Sequence, residues 1–252
     1  MSDITATKST GEHALPRLAD MHHSAELLRH YKSKWEYYWR REPEGYRCKD
    51  TAQFIRDNNF SEHLVVELGC GDRGLDAKGA LGERYVGVDV SRTALKNAKK
   101  VDPRANFINA DMRMLPFRDD IVDVLISFET MHILGYEVHA AVKEIGRVTK
   151  GLAIFELSDR RAVPEDFAMN RVKGQISMAI EMDCCLAMVP KNKDEREYMS
   201  LYFTADSAKS LAEGAGFKKV VTRQIEVASR RLDTVPMIEV FAAKQDDMIE
   251  VV

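Results

Sequence analysis

The chain is poor in cysteine: it has Cys48, Cys70, Cys184 and Cys185, and no two of them form a C-x-x-C pair. That argues against a disulfide framework and against a structural zinc site. An excess of either charge is also missing. Lys and Arg number 37 against 40 Asp and Glu, for a net charge of −3. No global basic field draws such a chain to nucleic acid or to an anionic membrane. No N-terminal apolar segment resembles a signal peptide, and no apolar run is long enough to span a bilayer. No internal repeat is present. The expectation is a cytoplasmic protein of 252 residues, with one α/β domain plus additions and no metal site.

What is present centres on Leu64-Val65-Val66-Glu67-Leu68-Gly69-Cys70-Gly71-Asp72-Arg73-Gly74. The apolar part has no polar alternation and predicts a strand buried in mid-sheet. The glycines permit a sharp turn and let a ligand approach the backbone without a Cβ in the way. Gly69, Gly71 and Gly74 spell G-x-G-x-x-G, the dinucleotide fingerprint, which is weak when taken alone.

Along the chain, residues 1–16 read as disordered and residues 17–59 as a helical cap. In the cap, Tyr31, Trp35 and Trp39 recur at four-residue spacing and share one helix face. Strands are predicted at Leu64–Leu68, Tyr85–Asp89, Asn106–Ala110, Val122–Phe128 and Gly151–Leu157, with helices between them. Ser91 is positioned to cap one helix and Thr204 another. This alternation implies a parallel sheet with right-handed crossovers. Residues 158–203 break the rhythm and read as an insertion over the carboxyl edge of the sheet, with a helical stretch from Val172 to Leu186. Further strands begin at Gly216 and Val235, and residues 246–252 form a tail.

Glu67, Asp89 and Asp111 end three successive strands and lie 22 residues apart in each case. In an open parallel sheet these ends converge on one crevice. A pyrophosphate beside Glu67 would meet an unfavourable anion, whereas a ligand carrying a sulfonium and an ammonium would be helped. Asp111 beside Met112 suits an adenine, the acid accepting from the exocyclic amine and the thioether packing on the ring.

The motifs Glu67-Leu68-Gly69-Cys70-Gly71, Gly87-Val88-Asp89-Val90-Ser91, Asn109-Ala110-Asp111-Met112, Leu115-Pro116-Phe117 and Asp123-Val124-Leu125-Ile126-Ser127 together resemble the class I S-adenosylmethionine-dependent methyltransferases, small-molecule enzymes included. Ala215-Gly216-Phe217 matches the family's lead into its sixth strand, and the resemblance covers about residues 60–157 and 204–243. The chain departs from the family at Arg73, where a glycine is usual, with Gly74 one place later. The resemblance implies a Rossmann-like, doubly wound seven-stranded sheet, mostly parallel with an antiparallel last strand, over residues 60–245. It implies S-adenosylmethionine as cofactor, contacted by Glu67, Gly69, Cys70, Gly71, Asp89, Val90, Asp111, Met112, Ser127 and Phe128. Glu67 is open to a direct or an orienting role.

The resemblance places Ser127-Phe128-Glu129-Thr130-Met131-His132 near the transferring methyl. His132 is the candidate general base, with a ring bonded to backbone as the alternative. Met131, Tyr38 and Trp39 are candidate substrate contacts, and for Tyr38 and Trp39 core packing is the competing role. The segment lacks the Asn-Pro-Pro-aromatic pattern of nucleic-acid amino methyltransferases. The expected partner is a small-molecule acceptor methylated at O, N or S. An RNA or protein methyltransferase and a non-catalytic adenosine-binding interaction protein are the alternatives. Cys184 and Cys185 raise a soft-ligand substrate such as arsenic, against buried inert thiols.

Overall fold

A computed structural model describes residues 36, 57–73, 84–163, 176–181, 185–190, 200–228 and 234–245. Strands β1 (Val65–Leu68), β2 (Tyr85–Asp89), β3 (Asn106–Asn109), β4 (Val122–Ser127) and β5 (Thr149–Ser158) carry the first half. Helix α1 (Arg92–Val101) joins β2 to β3, and α2 (Val138–Val148) joins β4 to β5. Next come β6 (Ile176–Glu181), β7 (Leu186–Pro190), β8 (Ser200–Tyr202), helix α3 (Ala205–Gly214), β9 (Lys219–Ala228) and β10 (Thr234–Ala243).

The main sheet has seven strands in the order β3-β2-β1-β4-β5-β10-β9. Strands β1 to β5 pair in parallel, while β10 runs antiparallel to both neighbours. This is the expected doubly wound sheet with an antiparallel last strand. All four residues of β1 are buried, as a strand with both faces covered requires. Alternate side chains feed two apolar clusters. Val66, Leu68, Leu125, Phe155 and Ile238 pack with Val142 and Ile145 of α2 and Ala208 and Ala212 of α3. Val65, Tyr85, Val124, Ile126, Phe128 and Ile154 form the second cluster.

Local chemistry sets the helix starts. The Ser91 hydroxyl accepts from Ala94 N–H at 3.2 Å. Thr204 and Ser207 form a reciprocal capping box, with Ser207 N–H donating to Thr204 Oγ1 at 3.2 Å and Thr204 N–H to Ser207 Oγ at 3.0 Å.

One expectation is corrected. The stretch 172–186 is not helical where described: Ile176–Glu181 and Leu186–Pro190 are strands of a small sheet in the order β6-β7-β8. The physical reason is legible afterwards. Ile176, Met178 and Ile180 recur at period two, and the Cβ-branched Ile176, Ile180 and Val189 favour the pleat over the helix. Strand β9 runs on to Ala228 because as an edge strand it tolerates Arg223, Gln224 and Glu226. Arg223 is paired there with buried Glu239 of β10 at 2.5 Å. The expected terminal segments, the helix at 75–82, the charged run at 191–197, Cys48, Cys184, Tyr38 and Trp39 lie outside the described residues.

The small sheet is rooted beside the end of β5. Phe203 N–H donates to Ser158 O at 2.8 Å, and Arg160 N–H donates to Phe203 O at 2.7 Å. Strand β8 lies against the two 3-10 turns that follow β4, Met131–Ile133 and Gly135–Glu137. Among the described residues, no helix is long and apolar enough to cross a membrane.

Helices α2 and α3 approach closely at a glycine. A Cβ on Gly146 would stand 2.1 Å from Ala215 O, whereas one on Gly214 would meet nothing within 4 Å. Gly146→Ala is therefore expected to cost about 1–3 kcal/mol by overpacking. Gly214→Ala is expected to leave stability unchanged or raise it by up to about 1 kcal/mol through helix propensity. Denaturant unfolding of the two variants checks this, and equal effects would contradict the close approach.

Candidate active site

The parallel order puts the carboxyl ends of β3, β2, β1 and β4 side by side, with the strand order reversing between β1 and β4. A crevice at such a switch point is where open α/β sheets bind ligands. Gly69 and Gly71 turn the chain away from β1 with φ of +72° and +64°. Both angles lie where a Cβ is strained. Gly69 also has a neighbour in its way, since a Cβ there would stand 2.3 Å from the Thr130 side chain.

The glycine loop is fastened to β2. Gly69 N–H and Cys70 N–H donate to Val88 O at 2.8 and 3.2 Å. Gly71 N–H donates to Asp89 Oδ2 at 3.0 Å, and Ser91 N–H donates to Asp89 Oδ1 at 2.8 Å. The Asp89 carboxylate thus joins the loop after β1 to the loop after β2 while only 8% exposed. A carboxylate oxygen accepts more than one hydrogen bond, so this role is compatible with ribose hydroxyls as further donors. Val90 is held from the other side, where Asn109 Nδ2 donates to the carbonyls of Asp89 and Val90 at 2.9 and 2.8 Å.

Glu67 is buried below the glycine loop and accepts a short hydrogen bond from the Tyr85 hydroxyl of β2. The Cys70 thiol is fully buried and is not part of a disulfide. It shares with Phe107 the space left by Gly87, where a Cβ would stand 2.9 Å from its sulfur.

Asp111 occupies the end of β3, where Ala110 N–H donates to Asp89 O at 3.2 Å. Its carboxylate grips Arg113, accepting Nε at 2.9 Å and Nη2 at 2.7 Å. Arg113 reaches on to Glu137 at 2.9 Å, just before α2. Burial opposes the arginine's charge, but the hydrogen bonds of Asp111 and Glu137 raise its pKa above the ordinary value. The planar fork suits this double grip, which a lysine would not reproduce. Met112 is half-buried against the core.

After β4, Ser127 is fully buried and its hydroxyl donates to Leu68 O at 3.2 Å. Phe128 and Met131 belong to the apolar interior, Met131 at 1% exposure. Glu129 takes a positive φ of 52°, and its N–H donates to Glu156 Oε2 of β5 at 2.9 Å. The structure thus assembles Gly69, Cys70, Gly71, Asp89 and Val90 into one bonded unit. Ser127 is joined to β1, Asp111 follows Ala110, whose N–H is bonded to Asp89 O, and Met131 belongs to the core cluster. Sequence reasoning missed Tyr85, Asn109, Arg113, Thr130, Glu137 and Glu156. Of these, Asn109 carried a signal: a polar residue ending a strand beside the Asp89 turn.

These features define a class I S-adenosylmethionine-dependent methyltransferase fold. Residues 66–155, about a third of the chain, match the model of the methyltransferase domain family. A probable S-adenosylmethionine-dependent methyltransferase of Mycobacterium tuberculosis is 30% identical over 95 residues, 37% of this chain and 34% of that protein. A mitochondrial arginine-hydroxylase of Danio rerio is 29% identical over 125 residues, 49% of this chain and 37% of that protein. The chain therefore spans about a third of the length of the curated relatives it matches. Among solved structures, a Burkholderia thailandensis 1,6-didemethyltoxoflavin-N1-methyltransferase, with 1,6-didemethyltoxoflavin and S-adenosylhomocysteine bound, superimposes with a TM-score of 0.58 at 15% identity. That match covers 88% of this chain and 89% of the other. The magnesium protoporphyrin IX methyltransferase of Synechocystis with bound S-adenosylmethionine gives 0.53 at 11% identity, covering 88% and 99%.

His132 lies on the 3-10 turn Met131–Ile133, beside β8. Its side chain is exposed in surface area, yet burial by the surrounding protein pushes its pKa below the ordinary histidine value. The neutral imidazole is then the form present at neutral pH. The sign for stability follows. Below about pH 6.5 the unfolded chain takes up a proton that the folded ring accepts only at lower pH, so this residue's contribution falls as pH drops through that window. An NMR titration should place the His132 midpoint below that of an unfolded histidine. A midpoint at or above about 6.5 would contradict this desolvation of the ring.

Proposed function

We propose that the protein binds S-adenosylmethionine at the ends of β1 to β4 and directs its methyl group to O, N or S of a small-molecule acceptor. The observation that supports this most is the Asp89 carboxylate, which holds Gly71 and Ser91 at once. Gly69 and Gly71 leave the backbone approachable by the methionine part. Asp89 offers its carboxylate to the ribose hydroxyls, while Asp111 and Met112 flank the adenine. Val90, Ser127 and Phe128 complete the walls. A dinucleotide would bring its pyrophosphate towards Glu67, where like charges repel.

The bound cofactor supplies a methyl group on a good leaving group, so the chain has mainly to align and to exclude water. His132 is proposed to take the acceptor's proton, a role supported by its depressed pKa, which keeps the ring neutral and able to accept. Tyr38, Trp39 and Met131 are proposed to shape the acceptor's surroundings. The insertion 158–203 belongs to the same reading as a lid, which the seating of β8 beside the His132 turn supports. Cytoplasmic residence accords with the unbridged thiols Cys70 and Cys185.

The experiment is transfer of labelled methyl groups into metabolite, RNA and protein pools, followed by His132→Ala on whichever pool is labelled. Label is expected in small molecules, with turnover in the variant lower by about 10²–10⁴ and cofactor affinity nearly unchanged. Label confined to RNA or protein would overturn the acceptor class. Cofactor binding with no label in any pool would favour the non-catalytic alternative. Full turnover in the variant would remove His132 from the chemistry.

A further inference from the structure

The first N–H groups of an α-helix lack an intrahelical acceptor and need one from elsewhere. At α1, Ala94 N–H donates to Ser91 Oγ at 3.2 Å, and Leu95 N–H starts the ladder on Ser91 O at 3.2 Å. The remaining two turn outward to Glu36, a residue 56 positions earlier than Arg92. Arg92 N–H donates to Glu36 Oε1 at 2.5 Å. Thr93 N–H donates to Oε1 and Oε2 at 3.4 and 3.3 Å, and the Thr93 hydroxyl donates to Oε2. Ser91 N–H is taken by Asp89. Every backbone donor from Ser91 to Leu95 is thereby accounted for, two of them by a carboxylate from outside the matched stretch 66–155.

A helix N-terminus is a ready anion site, because its N–H groups and its dipole both favour negative charge. In this chain the anion is supplied by Glu36. The place matters: α1 begins three residues after Asp89 and packs on the turn Gly71–Arg73 of the glycine loop. Glu36 therefore holds the segment 89–93 from outside, while Asp89 and Asn109 hold it from inside.

We propose that Glu36 is a positioning residue of the cofactor site and a determinant of its specificity. It fixes the loop that carries Asp89, and it reserves the start of α1 against a phosphorylated ribose. This rests on the proposed role of Asp89 toward the ribose. A ribose phosphate entering there would find the helix N-terminus occupied by one carboxylate and flanked by another. The Glu36→Gln variant keeps the shape and one acceptor oxygen but removes the charge.

The test uses the full chain as wild type and as Glu36→Gln, titrated calorimetrically with S-adenosylhomocysteine and with adenosine 2′-monophosphate. The wild type is expected to bind the first and to show no heat with the second. In the variant, affinity for S-adenosylhomocysteine should fall about tenfold. Adenosine 2′-monophosphate should gain measurable binding in the variant, a gain that a merely stabilising residue would not produce. A variant that still shows no heat with the 2′-phosphate overturns the specificity role, and unchanged affinity for S-adenosylhomocysteine overturns the positioning role. Amide exchange at Arg92 and Thr93 is read alongside. Faster exchange in the variant supports the clamp and unchanged exchange overturns it, whether or not the cofactor binds. A wild type that fails to bind S-adenosylhomocysteine would sink the cofactor reading instead.

Discussion

Asp89 accepts one backbone N–H from the glycine loop and one from the turn into α1, at 3.0 and 2.8 Å, from a position almost sealed from water. Charge-assisted bonds of this kind are about twice as strong as neutral ones, and removing the acceptor would strand two buried donors. The loops after β1 and β2 are thus one mechanical unit. A second tie runs from the carbonyls of Asp89 and Val90 to Asn109, so the end of β3 joins the same unit. Three strand ends share one fastening, and the proposed cofactor contacts are read off its members.

The fourth strand end is joined through tight packing. Gly69 admits Thr130 where no Cβ would fit. Thr130 Oγ1 hydrogen-bonds the Phe128 carbonyl at 3.0 Å, and Ser127 holds Leu68 O. Between them Glu129 sits at positive φ, a conformation costing an ordinary residue about 1–2 kcal/mol. Its N–H is met by Glu156, a carboxylate at 1% exposure. A strained residue fixed by a buried carboxylate, three positions before His132, is the kind of arrangement that sets a side chain's aim.

Much of this was legible because the informative residues are local. Tyr85–Asp89 is an unbroken strand pattern closing on an acid, and Thr204 and Ser91 are cap residues in cap positions. The glycine loop and the spacing of Glu67, Asp89 and Asp111 pointed to one crevice. The helix expected at 172–186 failed because the period-two recurrence of Ile176, Met178 and Ile180 is a strand pattern. The Arg113 fork and the Glu36 clamp were illegible for a different reason. The bond from Arg113 to Glu137 spans 24 positions and those of Glu36 span 56 and 57, and no spacing rule announces contacts that only the tertiary fold creates.

The central claim is that the Asp89 carboxylate organises the cofactor site. Asp89→Asn is its most direct measurement, since the amide replaces one acceptor oxygen by a donor that faces a backbone N–H. Calorimetric titration with S-adenosylhomocysteine should show affinity reduced by about 10- to 100-fold, with amide exchange at Gly71 accelerated in the same variant. Binding at wild-type affinity with Gly71 still protected would contradict the account.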